Sequence, residues 1–181
     1  AFFSFDGARV LFLDRPAPAL PAGIYGVPVD QPMSTPGLIT EKLGPFSRDL
    51  AYSVSLVNGQ TVVERTASAE TGEPGRWVIN NGGRNLSFSP DATRILWSVS
   101  EEAGGFDRRR SDVWLANVDG SDARRVVTRY GGGAVAWMPD GQRILLGGRP
   151  SRGEEKSTLS LFDLRDGSIK DLFTAERWRG T

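Results

Sequence analysis

The sequence predicts an all-β protein built as a β-propeller, and three observations carry that prediction. First, one phrase recurs: an aromatic residue, a turn built on Asp, then a tight apolar strand. Its copies are Phe3-Ser4-Phe5-Asp6-Gly7-Ala8-Arg9-Val10-Leu11-Phe12, Phe88-Ser89-Pro90-Asp91-Ala92-Thr93-Arg94-Ile95-Leu96-Trp97 and Trp137-Met138-Pro139-Asp140-Gly141-Gln142-Arg143-Ile144-Leu145-Leu146. A degenerate copy is Phe46-Ser47-Arg48-Asp49-Leu50-Ala51-Tyr52. Second, the turn aspartates Asp6, Asp49, Asp91 and Asp140 lie 43, 42 and 49 residues apart. A period in the forties built of strands points to propeller blades of four strands each. Third, the apolar residues between these turns come in short runs cut by Gly, Pro, Asn and Asp, without the three-and-four spacing of helices.

The elements follow in order. In the first unit strand A is a stub, strand B runs over 9–13, strand C over 24–29 and strand D over 38–43. In the second, strand B covers 50–56, Asn58-Gly59 makes a hairpin turn, strand C covers 61–66 and strand D 77–80. The third unit parses best. Strand A ends at 86–88, Pro90-Asp91 turns the chain, and strand B covers 94–100. A polar loop over 101–112 follows, then strand C over 113–118, a hairpin turn at Asp119-Gly120 and strand D over 124–128. The fourth repeats this with strand B at 143–146, strand C at 159–164, a turn at Asp166-Gly167 and strand D at 169–173. The blades accordingly run over 1–43, 44–83, 84–130 and 131–181.

The B strands read Val-Leu-Phe-Leu, Ile-Leu-Trp and Ile-Leu-Leu, apolar at consecutive positions. A sheet with one wet face alternates; consecutive apolar residues predict that both faces are covered, each blade by the next. Burying each large side chain contributes roughly 1.5–3 kcal/mol, so packing between blades should dominate stability. Blades at the two ends would each leave an apolar face bare. Three resolutions stand open: a longer propeller of which this is part, a small four-bladed ring, or open halves that pair. The chain starts on Ala1-Phe2-Phe3 inside a repeat, which reads as a fragment or a processed product.

Composition bounds function. Lys and Arg number 22 and balance 22 Asp and Glu, where a nucleic-acid partner would call for a basic excess. The sequence has no Cys and no His, so disulfides, thiolate catalysis, Cys-ligated zinc and a Ser-His-Asp triad are excluded. No apolar run approaches the roughly 20 residues that span a bilayer. No nucleophile elbow, P-loop or dinucleotide fingerprint occurs. The chain is therefore expected to be non-catalytic, without metal or cofactor.

The phrases Phe88-Ser89-Pro90-Asp91 and Trp137-Met138-Pro139-Asp140, with Val113-Trp114-Leu115-Ala116-Asn117-Val118-Asp119-Gly120 downstream, resemble TolB-type (WD-like) propeller repeats. The resemblance covers nearly the whole chain and is weakest in the second unit. Ala92 stands where the family usually carries Gly. The resemblance implies a propeller of six to eight blades, a bacterial envelope or secreted location, and a domain that mostly binds other proteins. It also admits an accessory role beside the catalytic domain of a prolyl-oligopeptidase-like hydrolase. The repeat itself carries no catalytic residue.

Candidate binding residues come from loop geometry. Antiparallel strands put the A–B and C–D turns on one face, and the B–C loops and D–A crossings on the other. The second face holds the longer loops at 14–23, 101–112 and 147–158, where function usually sits on a rigid scaffold. There Phe106, Arg108, Arg109 and Arg110 form a basic run able to grip carboxylates. Asn81, Arg84, Arg129 and Tyr130 flank the crossings. The plainer readings are a solvated charge run and an ordinary polar rim. The expected partner is a protein or peptide; self-association through bare end blades is a further expectation. Arg9, Arg94 and Arg143 recur at one position and are expected to pair with the Asp of their own turn.

Overall fold

The structure, a computed structural model, describes residues 2–3, 7–14, 21–41, 44–65, 75–79, 83–101, 109–132 and 135–175. Its strands form four antiparallel sheets, each a meander whose order follows the chain. Sheet 1 holds β1 (Phe2–Phe3), β2 (Arg9–Asp14), β3 (Gly23–Pro28) and β4 (Gly37–Thr40). Sheet 2 holds β5 (Tyr52–Val57), β6 (Gln60–Arg65) and β7 (Arg76–Ile79), and a lone bridge from Phe46 to Ser53 stands where its strand A would pair. Sheet 3 holds β8 (Arg84–Phe88), β9 (Arg94–Ser100), β10 (Arg110–Asn117) and β11 (Arg124–Tyr130). Sheet 4 holds β12 (Val135–Trp137), β13 (Arg143–Gly148), β14 (Ser157–Asp163) and β15 (Ile169–Ala175).

Several expected boundaries shift by a few residues, three of them for a visible local reason. Strand β5 starts at Tyr52 because Leu50 sits in a left-handed turn, φ 61°. Strand β10 starts at Arg110 because Ser111 and Asp112 pair with Ser100 and Val99, which shortens the polar loop. The Asp119-Gly120 connection is longer than a two-residue hairpin, running from Asn117 to Arg124. Asp122 is also left-handed there, φ 54°, and Asp119 Oδ1 accepts the Ser121 amide at 2.9 Å. Asn58-Gly59 is the tight turn expected: φ is 49° and 76°, positive at both central positions as the type I′ hairpin requires.

The recurring phrase folds into one turn wherever it is described. In sheet 3, Ser89 Oγ donates to Asp91 Oδ1 at 2.5 Å and accepts the Arg94 amide at 2.9 Å, while Asp91 Oδ1 accepts the Thr93 amide at 3.2 Å. The degenerate copy repeats this atom for atom: Ser47 Oγ to Asp49 Oδ1 at 2.5 Å, Tyr52 amide to Ser47 Oγ at 2.9 Å, Ala51 amide to Asp49 Oδ1 at 3.0 Å. Met138 has no hydroxyl to offer, and the turn adapts. Asp140 Oδ1 takes both the Gln142 amide, at 3.0 Å, and the Arg143 amide, at 3.1 Å. The fourth residue of the turn is left-handed in all four units: Gly7 φ 69°, Leu50 φ 61°, Ala92 φ 57° and Gly141 φ 64°. Glycine adopts this conformation freely, whereas an L side chain costs roughly 1–2 kcal/mol there.

Sheets 2, 3 and 4 pack face to face. Strand β9 buries Ile95, Leu96 and Trp97 completely at consecutive positions, as a strand covered on both sides must. Ile95, Trp97 and Ala116 join Val54, Val63 and Ile79 of sheet 2 in one core cluster. Leu96, Val113 and Leu115 join Ile144, Leu146 and Phe162 of sheet 4 in another. The face toward the preceding sheet is called trailing here, and the face toward the following sheet leading. Trp97 and Trp114 stack on the trailing face of sheet 3, ring centroids 6.2 Å apart. Arg94 departs from the expected local pairing: its Nη2 donates to the Gly141 carbonyl of sheet 4, and its guanidinium lies over the Trp137 ring at 5.3 Å. Arg143 does pair with its own Asp140.

Replacing Leu50 or Ala92 by Gly relieves the left-handed strain, partly offset by Gly entropy in the unfolded chain; each should raise stability by about 0.5–1 kcal/mol in urea titration. The turn carboxylates also predict acid lability. Burial pushes Asp91 up, but hydrogen bonds from Ser89 and Thr93 and the Arg94 charge outweigh it and hold the carboxyl below its ordinary range. The Gln142 amide, then Arg143, lower Asp140 likewise. A folded pKa below the unfolded one gives stability that is complete above about pH 4 and is lost as pH falls through the folded value. The urea midpoint should therefore hold near neutral pH and drop below about pH 4, and the drop should be shallower in Asp91→Asn.

Candidate functional site

Strand β10 starts and β11 ends at the loop end of sheet 3, and register brings the predicted basic residues together there. Arg110 pairs across with Tyr130, and Ser111 with Arg129. The Gly131 amide donates to the Arg109 carbonyl at 2.9 Å, so the B–C loop and the D–A crossing are joined by backbone. Tyr130 and Arg149 exchange two backbone hydrogen bonds, at 3.0 and 2.8 Å, which ties the end of sheet 3 to the end of β13 in sheet 4. Gly148 makes this approach possible: its φ is 120°, and a Cβ there would come within 3.1 Å of the Tyr130 carbonyl.

The side chains differ in state. Arg110 lies back along its own strand, Nε 3.1 Å from Asp112 Oδ1 and Nη2 3.0 Å from Oδ2. The pair is half-buried, and Asp112 also accepts from Thr128 Oγ1 and lies 3.7 Å from Arg125 Nη1, so Arg110 offers less to a ligand than a free guanidinium. Arg129 is 3% exposed, on the leading face of sheet 3, and its Nε and Nη2 have no hydrogen-bond acceptor. Burial pushes this guanidinium below its ordinary pKa, and the Asp171 carboxylate of sheet 4 partly offsets that; at such high values it stays protonated. Asp171 itself accepts from Ser160 Oγ at 2.6 Å. Arg109 Nε is likewise buried and unpartnered. Arg84 begins β8 at the same end of sheet 3 but on the opposite edge, exposed, its carbonyl accepting from Ser98 Oγ at 3.2 Å. Asn81, Phe106 and Arg108 lie outside the described residues.

Sequence reasoning missed the contribution of the fourth unit. Arg152 stretches over the Tyr130 ring at 5.8 Å and pairs with Glu101 at 3.2 Å, bridging the B–C loops of sheets 3 and 4. Arg149 is buried and donates from Nη1 to the Glu154 carbonyl at 3.2 Å. The signal was present, since both lie in the 147–158 stretch read as a loop on this face. The loop end of sheets 3 and 4 thus gathers Arg109, Arg129, Arg149 and Arg152 around Tyr130. Chemically it is an anion-accepting surface with an aromatic wall. Among the described residues no three acidic side chains gather as a metal site, and no helix is long and apolar enough to cross a membrane.

Comparison with solved structures identifies the architecture as a TolB-like β-propeller. The chain superposes on a protein assigned as TolB in Agrobacterium tumefaciens with a TM-score of 0.61 and 21% identity, over 96% of this chain and 64% of that one. TolB from Acinetobacter baumannii gives a TM-score of 0.58 and 19% identity, over 94% of this chain and 42% of that one. Dipeptidyl peptidase 4 from Porphyromonas gingivalis gives a TM-score of 0.58 and 11% identity, over 98% of this chain and 33% of that one. The chain thus spans less than two thirds of the length of each TolB structure. No protein-family model matches the sequence, and no curated protein matches it.

A buried guanidinium with unaccepted N–H groups costs stability, roughly 1–3 kcal/mol per group left unpaired. Arg129→Met keeps the volume and removes those groups, while Asp171 is exposed and remains hydrated. The variant should be as stable as the parent or up to about 2 kcal/mol more stable in urea titration.

Proposed function

We propose that this chain is a non-catalytic propeller scaffold that binds an acidic protein or peptide segment at the loop end of sheets 3 and 4. The observation that carries the reading is the pair Arg109 and Arg129, whose buried N–H groups have no acceptor, at the same loop end where Arg152 lies over Tyr130. A carboxylate brought to Arg109 and Arg152 gains charge-assisted hydrogen bonds, and the buried Arg129 adds positive charge at the same end, partly offset by Asp171. Tyr130 supplies the flat apolar contact that such anchors favour. The absence of His and Cys from the sequence supports the non-catalytic part of the reading. The resemblance to TolB repeats supports an envelope or secreted location and a protein partner. A second reading, an accessory propeller of a larger prolyl-oligopeptidase-like hydrolase, draws on the likeness to one third of the dipeptidyl peptidase chain.

Peptide display against the 181-residue chain tests the first reading. Selected peptides should be rich in Asp and Glu, and their affinity should fall at least about tenfold in Arg109→Ala/Arg152→Ala and on raising salt to about 1 M. Peptides that bind the double variant as well as the parent would place the site elsewhere. Robust peptidase or glycosidase turnover by the purified chain would overturn the non-catalytic assignment.

A further inference from the structure

Three cations at the loop end of sheets 3 and 4 already face a carboxylate of this chain. Arg110 is held by Asp112, Arg129 lies in the field of Asp171, and Arg152 pairs with Glu101. These carboxylates differ in how firmly they are fixed. Asp112 is 19% exposed and also accepts from Thr128 Oγ1. Asp171 accepts from Ser160 Oγ at 2.6 Å. The Glu101 carboxylate has Arg152 as its one partner among the described residues, and its side chain is 41% exposed.

The backbones of Glu101 and Arg152 are anchored even though their side chains lie in water. Glu101 follows β9 directly, and its amide donates to the Arg110 carbonyl at 3.0 Å, which extends the β9–β10 ladder by one residue. Arg152 sits in a turn where the Glu154 amide donates to the Ser151 carbonyl at 3.3 Å. The buried Arg149 holds the end of that turn through the Glu154 carbonyl. Arg152 is thereby set over the Tyr130 ring, and its Nη2 meets Glu101 Oε2 at 3.2 Å.

We infer that Glu101 is a resident competitor at this site: its carboxylate occupies the place on Arg152 that an acidic partner takes, and the partner binds by displacing it. This role rests on the acidic partner proposed above and adds what that partner must displace. Displacement is feasible because an ion pair with both side chains in water is weak, and the released Glu101 carboxylate is hydrated again. Arg152 keeps its place over Tyr130 throughout, since a ring engages the guanidinium face and a carboxylate its N–H edge. A neutral segment cannot replace the carboxylate, so Glu101 also sets the charge requirement of the site. Removing Glu101 should therefore tighten binding, whereas removing a residue that merely positions Arg152 would weaken it.

Fluorescence anisotropy with a labelled hexaglutamate peptide, at about 50 mM salt, tests this on the 181-residue chain. Glu101→Gln should bind the peptide about two- to fivefold more tightly than the parent. In an Arg152→Ala background the same substitution should bring no gain. Glu155→Gln, an equal change of charge at an exposed acid of the neighbouring loop, should bring less. Unchanged or weaker binding by Glu101→Gln overturns this role for Glu101. An equal gain in the Arg152→Ala background, or from Glu155→Gln, also overturns it, because net charge alone would then account for the effect. Failure of the acidic-partner assignment looks different: the peptide binds Arg109→Ala/Arg152→Ala as well as the parent, or binds neither the parent nor Glu101→Gln. The role of Glu101 falls with it.

Discussion

Sheet 3 has no wet face, and that constraint organises the rest. A strand such as β9, apolar at three consecutive positions, has side chains pointing both ways. It is stable only between two other sheets. Ile95 and Trp97 need sheet 2, and Leu96 needs sheet 4, so no blade buries its residues alone. Strand β13 has less cover on its second face among the described residues. Its sequence Ile-Leu-Leu is apolar throughout, yet burial alternates, with Ile144 and Leu146 covered and Leu145 only half-covered. The sequence pattern is the same in both strands; the burial pattern reports the neighbours.

The turn phrase is the local device that lets such sheets repeat. It satisfies its own backbone amides through one Asp and, where present, one Ser, and so makes no demand on tertiary context. That autonomy explains its tolerance. Met138 replaces the Ser, and Asp140 takes over the orphaned amide; Leu50 and Ala92 replace the Gly, and the fold accepts the strain. The residue following the turn is then free to face outward. In sheet 3 that residue is Arg94, which spans to the next sheet instead of closing on its own Asp91, so turn and inter-sheet contact are built from adjacent positions.

Periodicity made the architecture legible, because spacing of the Asp turns and consecutive apolar strands depend on backbone geometry alone. The Ser47-Asp49 copy was the weakest in sequence, and its geometry is that of the strongest. What the sequence hid were features set by pairing across distance. The early start of β10 depends on Ser111 and Asp112 finding partners in β9, and neither residue has strong strand propensity to announce it. Arg129 read as a rim residue and is buried, because the register of β11 turns its side chain toward sheet 4. Arg110 and Arg109 read alike, yet Asp112 at two residues' distance closes the first and not the second. Arg149 and Arg152 were hidden differently: they sit in a loop already assigned to the right face, but only the fold brings that loop against Tyr130.

The two ends of each sheet therefore carry different chemistry. At the turn end of sheets 2, 3 and 4, polar groups are paired within a few residues: Ser47 with Asp49, Ser89 with Asp91, Asp140 with Arg143, Asp163 with Arg165. Such short-range pairs are complete in themselves and leave little for a partner to gain. At the loop end of sheets 3 and 4 the groups come from different strands and different sheets, and their pairing is incomplete, with N–H groups of Arg109 and Arg129 unaccepted. Stability concentrated in an autonomous turn end relieves the loop end of structural duty. Unpaired guanidiniums are tolerable only where the rest of the sheet is secure, and a surface tolerated at a cost to stability is where selection for binding leaves its mark. By that reasoning the scaffold and the candidate site are opposite consequences of the same antiparallel blade.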